Sequence, residues 1–216
     1  MPAIDVMPVS ATPRGRNRGF SMIEVLVSLL IIQVGLLGLV GTQVIAQRAE
    51  SEAYQRAQAV ILVNDIVERI NAFRGNATCF AITSATTGVP YEGSTASDPN
   101  HYSGSCGVAM VDQSLAAWDE ELQGSAELNS SSASVGAITG ARGCVSSFVD
   151  ATGATVYVVA VAWQGQSESF SPNAMAAADS TNTAKQQAAL CGSGLYGSDD
   201  GMRRLVWDTV QIATLQ

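Results

Sequence analysis

Side chains that move protons or bind metals are scarce in this chain. It has one histidine, His101, and one lysine, Lys185, in 216 residues. That leaves little material for a proton-shuttling or metal-dependent centre. No GxSxG, HExxH, P-loop or dinucleotide fingerprint occurs, so no catalytic residue, cofactor or metal site is expected and the chain does not read as an enzyme. Charge is also thin, at 14% of residues, with 19 acidic against 11 basic side chains and a net of −8. Such a balance excludes nucleic-acid binding by phosphate neutralisation. Proline is absent between Pro13 and Pro90, so nothing in that interval forces a helix to break. At 47% apolar, the chain is too hydrophobic for a disordered tail.

What the sequence does have is concentrated near its start. Arg14, Arg16 and Arg18 precede Gly19, and from Phe20 to Ala46 the only ionisable side chain is Glu24. Val25 to Gly41 is apolar except for Ser28 and Gln33, a run long enough to cross a hydrocarbon core of about 30 Å as a helix. A secretory signal places its small-residue cleavage site after the apolar core. Here the small-residue boundary, Gly19, comes before it. The three arginines on one side, against the mixed set Arg48, Glu50, Glu52 and Arg56 on the other, place residues 1–19 in the cytoplasm and the chain beyond about residue 47 outside it.

A plain single-pass anchor gives no use to Glu24, since a charge inside such a run costs about 2.5–3.5 kcal/mol on insertion scales. The carboxylate becomes useful if a positive charge is brought to it. Cleavage after Gly19 creates one, the α-ammonium of Phe20. Pairing within one helix or with a neighbouring helix are both reachable, and a buried pair can fix the axial register of packed helices. The alternative is a carboxylate that reaches the headgroups or stays protonated.

The run Gly19-Phe20-Ser21-Met22-Ile23-Glu24-Val25-Leu26-Val27 resembles the leader and N-methylation motif of type IV pilins and type II secretion pseudopilins. The resemblance implies that a prepilin peptidase cuts after Gly19 and methylates Phe20, and that Glu24 neutralises a neighbouring subunit's N-terminus during fibre assembly. It also implies other minor and major pilins and an inner-membrane assembly platform as partners. The chain would sit in the inner membrane with its head in the periplasm, then on the cell-surface pilus. Short stretches around Val161–Gly165, Cys191-Gly192, Tyr196-Gly197 and Arg203–Val206, with Asp112–Trp118, look like the minor pilins of the PilV group. Unlike many major pilins, this sequence has Gly35, Gly38 and Gly41 in the apolar helix and no proline.

The fold class expected is α+β and pilin-like, a long N-terminal helix packed on a small antiparallel sheet. Apolar residues from Ala46 to Ile70 recur every three or four positions, which extends one helix from about Phe20 to Arg74, roughly 80 Å at about 1.5 Å per residue. Gly75-Asn76 supplies a stop. Ala59, Leu62, Val63, Ile66, Ile70 and Phe73 form an apolar face that needs a cover; a coiled-coil stalk is the rival reading. The domain reading is a leader at 1–19, an assembly half of the helix at 20–46, an amphipathic half at 47–75 and a globular head at 76–216.

Within the head, residues 77–111 read as irregular, and Leu115 to Leu122 as a short helix entered at Asp112 or Ser114 with Trp118 on its apolar side. Asn129 to Ser134 reads as a polar surface loop. Strands are expected at Cys144–Val149, Val156–Trp163 and Leu205–Ala213, the first two joined by a hairpin at Asp150–Ala154. Residues 165–200 read as a connection too polar to make a second core.

All four cysteines, Cys79, Cys106, Cys144 and Cys191, follow the membrane span, where an oxidising periplasm lets disulfides persist. Three pairings are possible. Cys79–Cys106 with Cys144–Cys191 is favoured because each closes one otherwise unconstrained region; a four-thiolate zinc site is the rival, disfavoured by wide spacing and the lack of a CxxC. His101 reads as a solvated loop residue, Asp199-Asp200 as a surface turn rather than a calcium loop, and Asn76-Ala77-Thr78 as helix-ending sequence. Two other functional readings stand beside a minor pilin: a type II secretion pseudopilin and, more remotely, a membrane-anchored periplasmic hydrolase using His101.

Overall fold

A computed structural model describes residues 19–125, 130–131, 136, 138–179 and 181–212. The leader arginines, most of the Asn129–Ser134 tract and Ala213 lie outside the described residues. The chain divides into two compact units, Met1–Ala46 and Gln47–Gln216. Helix α1, Met22–Ala72, begins in the first and ends in the second.

In the first unit every described residue of α1 is exposed, including Leu26, Ile31, Leu36 and Leu39. This helix is long and apolar enough to cross a membrane. Its hydroxyls are satisfied within the helix. Ser28 Oγ donates to the Glu24 carbonyl at 2.7 Å and Thr42 Oγ1 to the Leu39 carbonyl at 2.8 Å, so neither presents a free donor to an apolar solvent.

The second unit is built on the rest of α1. Ala59, Val63, Ile66 and Ile70, spaced four, three and four apart, form one stripe and are buried. Leu62 and Phe73 flank it, partly buried. The helix gives way to a turn and then a 3-10 segment, Arg74–Phe80. Helix α2, Ala109–Leu122, presents Val111, Leu115, Trp118 and Leu122 to the same core at the same spacing. It starts earlier than the sequence reading placed it. Asp112 is not the cap but lies in the first turn, accepting from Ser105 Oγ at 2.6 Å and from Cys106 N at 2.9 Å.

Strands β1 (Arg142–Val149), β2 (Thr155–Gln164) and β3 (Arg203–Ile212) form one antiparallel sheet in the order β1-β2-β3. The β1–β2 hairpin closes at Asp150, whose Oδ1 accepts from the amides of Thr152 and Ala154, while Gly153 takes φ 83°. Central β2 is buried on both faces. Tyr157, Val159, Val161 and Trp163 join Val145 in the core shared with α1 and α2, whereas Val158, Ala160 and Ala162 face the other way. Each fully buried aliphatic side chain on these faces contributes about 1.5–3 kcal/mol.

The opposite face corrects the expectation for residues 165–200. That segment holds α3 (Pro172–Ala177), α4 (Thr183–Leu190) and a 3-10 turn, Ser198–Asp200. Ala184, Ala188, Cys191 and Tyr196 make a second core with Cys144, Val158, Ala160 and Ala162. Small alanines let α4 lie close on the sheet, so few large apolar residues are needed. The polar groups brought inside are answered by Arg203, which is fully buried: Nη1 donates to the carbonyls of Ala189 and Cys191 at 2.6 Å each, and Nη2 to Asn173 Oδ1 at 2.8 Å.

Candidate functional site

Gly19 and Phe20 stand open. Both precede α1 without helical structure; Phe20 is 84% exposed, and a Cβ at Gly19 would meet nothing within 4 Å. The first helical bonds run from the amides of Glu24 and Val25 to the Ser21 carbonyl at 3.0 and 3.3 Å. Glu24 occupies the first turn, where the free N–H groups of a helix favour negative charge. Its carboxylate is exposed and no described side chain pairs with it.

The cysteines lie in the second unit, joined as Cys79–Cys106 and Cys144–Cys191, with Cα separations of 5.5 and 5.8 Å. The first ties the 3-10 segment after α1 to the loop entering α2. The second ties β1 to the end of α4, inside the second core.

Two clusters were not legible as such in the sequence. Asp200 is not a plain surface-turn residue but is 5% exposed, with its carboxylate accepting from Gly194 N at 2.9 Å and lying 3.4 Å from Arg203 Nη2. Both Asp199 and Asp200 sit at φ 56°, in the left-handed region that aspartate tolerates better than most residues. Burial lowers the affinity of the Arg203 guanidinium for its proton, and Asp200 opposes this by favouring the charged form. The Asp200 carboxylate thus serves as the counterion of the buried Arg203 guanidinium.

The other cluster overturns the reading of His101 as solvated. Its side chain is only 14% exposed, with Nδ1 3.6 Å from Glu92 Oε2 and 3.8 Å from Asp119 Oδ1. Three elements assemble it. Glu92 is docked through its backbone on β1, exchanging bonds with Gly143 at 2.9 and 3.0 Å. His101 is carried by the return of the same loop, which bridges to Tyr91. Asp119 projects from α2, held by Gly93 N on Oδ1 and Gln123 Nε2 on Oδ2, each at 2.6 Å. Burial, then the neighbouring Asp119 charge, push the Glu92 carboxyl up to about 9. One ligand atom from each residue lies within 4.8 Å of the other two, a set suited to a cation. Separations of 27 and 18 positions from Asp119 gave no recognisable spacing, so only the fold reveals the group.

Residues 14–40 match the family model described as the prokaryotic N-terminal methylation motif. No curated protein and no solved structure matches the chain. The motif indicates a type IV pilin-like precursor, of pilin or pseudopilin type, and proteins of that kind are structural rather than enzymatic.

Proposed function

We propose that this chain is a minor pilin, resembling the PilV group, which is cut between Gly19 and Phe20 by a prepilin peptidase and then assembles into, or primes, a type IV pilus. The observation that carries the reading is the open Gly19-Phe20 junction at the start of an apolar run, Phe20 to Ala46, whose one acid, Glu24, has no partner among the described residues. Inside a bundle of such helices, the Phe20 ammonium of a neighbouring copy supplies that partner. Residues 20–46 leave lipid for the fibre core, residues 47–75 support the head, and residues 76–216 face outward. Before assembly the head is in the periplasm, where its two disulfides persist.

Removing residues 1–19 takes away Asp5 and three arginines, leaving eight basic against 18 acidic side chains and a net of −10. An acidic head disfavours electrostatic adhesion to anionic surfaces. The partners this reading implies are other minor and major pilins and the inner-membrane assembly platform.

Intact-mass and N-terminal analysis of the protein from cells with and without prepilin peptidase tests the reading. The expected product lacks residues 1–19 and begins with N-methylated Phe20 only where the peptidase is present. An uncut functional form would refute it. The same N-terminus serves a type II secretion pseudopilin, and deletion separates the two: loss of twitching motility supports the pilus, loss of exoprotein secretion supports the secretion system.

A further inference from the structure

The loop between Tyr91 and Tyr102 folds back on itself and against α2, and at the point of contact it brings two acids and the chain's one histidine together. Glu92 is 97% buried, its side chain 4% exposed. Its Oε2 and the Nδ1 of His101 are both sealed from solvent with no hydrogen-bond partner. Buried polar atoms are normally bonded, and an adjacent pair of orphans, one on a carboxylate and one on an imidazole, calls for a third species between them. A cavity of about 190 Å³ adjoins them, lined in addition by Asp112 and Glu120 and by no lysine or arginine. Four carboxylates face a space to which no described permanent cation contributes.

We propose that Glu92, His101 and Asp119 bind one divalent transition-metal ion, zinc foremost, which clamps the 91–102 loop to α2. Tetrahedral zinc holds its nitrogen and oxygen ligands at about 2.0–2.2 Å, which sets neighbouring ligand atoms roughly 3.3 Å apart. The His101 Nδ1 distances of 3.6 and 3.8 Å exceed this by a few tenths of an ångström. An imidazole among the ligands favours zinc and its neighbours over calcium or magnesium, which take oxygen alone. The supporting contacts are those expected around a metal: Asp119 is oriented by Gly93 N and Gln123 Nε2, and the Glu92 backbone is pinned to β1. Water from the cavity completes the coordination. The role that follows is structural, since the ion joins a loop that has few regular backbone bonds to the helix beneath it.

The test uses the full chain in detergent micelles, purified through a tag free of histidine, stripped with EDTA and dialysed. Zinc chloride is added, bound metal is counted by mass spectrometry after equilibrium dialysis, and thermal unfolding is followed by circular dichroism. One zinc per chain is expected, with a higher unfolding midpoint. Glu92→Gln, His101→Gln and Asp119→Asn each weaken binding about tenfold or more, while Glu68→Gln, at an exposed position of α1 that does not line the cavity, leaves it unchanged. Cobalt(II) on the wild-type chain provides a readout that needs no variant, its visible absorption reporting a four-coordinate nitrogen and oxygen site. Failure of the wild-type chain to take up saturable zinc, zinc binding undiminished in all three variants, or a preference for calcium over zinc would each overturn the proposal. None of these outcomes depends on cleavage at Gly19, so the pilin reading stands or falls separately.

Discussion

The Trp118 indole N–H donates to the main-chain carbonyl of Leu62 at 3.0 Å, so the largest fully buried side chain of the head is bonded directly to the backbone of α1. A helix carbonyl can accept this second bond on its free lone pair without giving up its own ladder. Trp118 therefore fixes where α2 sits along α1 as well as filling the core. Trp118→Phe should keep most of the packing and cost about 0.5–1.5 kcal/mol for the lost bond, whereas Trp118→Ala should cost about 3–5 kcal/mol. Denaturant unfolding of the two variants side by side measures the difference.

Gly143 is the place where β1 passes under that indole. A Cβ there would run into Trp118 Cη2 and would meet the Trp118 Cζ3 atom at 2.8 Å. Gly143→Ala is expected to destabilise the head by about 1–3 kcal/mol through overpacking. A shift of the tryptophan emission spectrum in the folded variant would register the displaced indole.

Arg203 and Asp200 form the polar centre of the second core. Asp200→Asn leaves a buried guanidinium without its counterion and should cost about 3–5 kcal/mol. Replacing both, as Asp200→Asn with Arg203→Met, removes the orphaned charge, so the double variant should lose less than the two single losses added together. A double-mutant cycle on unfolding free energies measures this coupling; strictly additive losses would contradict it.

The β1–β2 turn gives the pH dependence. The Thr152 hydroxyl bond, followed by amides of the same turn, holds the Asp150 carboxyl below the ordinary carboxylate range. A group whose proton affinity is lowered by folding stabilises the fold above its unfolded pKa, near 4 for aspartate. That contribution is lost as pH falls through the lower folded value. The turn amides of Thr152 and Ala154 should therefore stay protected at neutral pH and lose protection only in acid, with Asp150→Ala showing weaker protection throughout. Amide exchange at several pH values measures both.

Glu24 lies outside the head, so its removal should spare stability and affect assembly. Glu24→Ala should unfold like the parent chain in detergent but enter filaments poorly beside it. Competition between the tagged variant and parent for incorporation, measured in sheared surface filaments, decides it; equal incorporation would remove Glu24 from the assembly mechanism.

The apolar run, the stripe from Ala59 to Ile70, the three strands and the Asp150 turn could all be read from the sequence, because each depends on neighbours no more than a few positions away. Helical and strand periodicity are local properties of the backbone. The N-terminal methylation motif is local in the same sense, since it is a run of consecutive residues. Tertiary structure alone decided what became of the polar residues. Residues 165–200, which read as too polar for a core, pack their alanines on the sheet because Arg203 answers the carbonyls they bring with them. Asp200 is a counterion rather than a turn residue, and His101 stands between Glu92 and Asp119 rather than in solvent. Burial and charge pairing depend on which distant segments meet, and that is set by the packing of α2 and α4 on the sheet rather than by the residues beside each group in the chain.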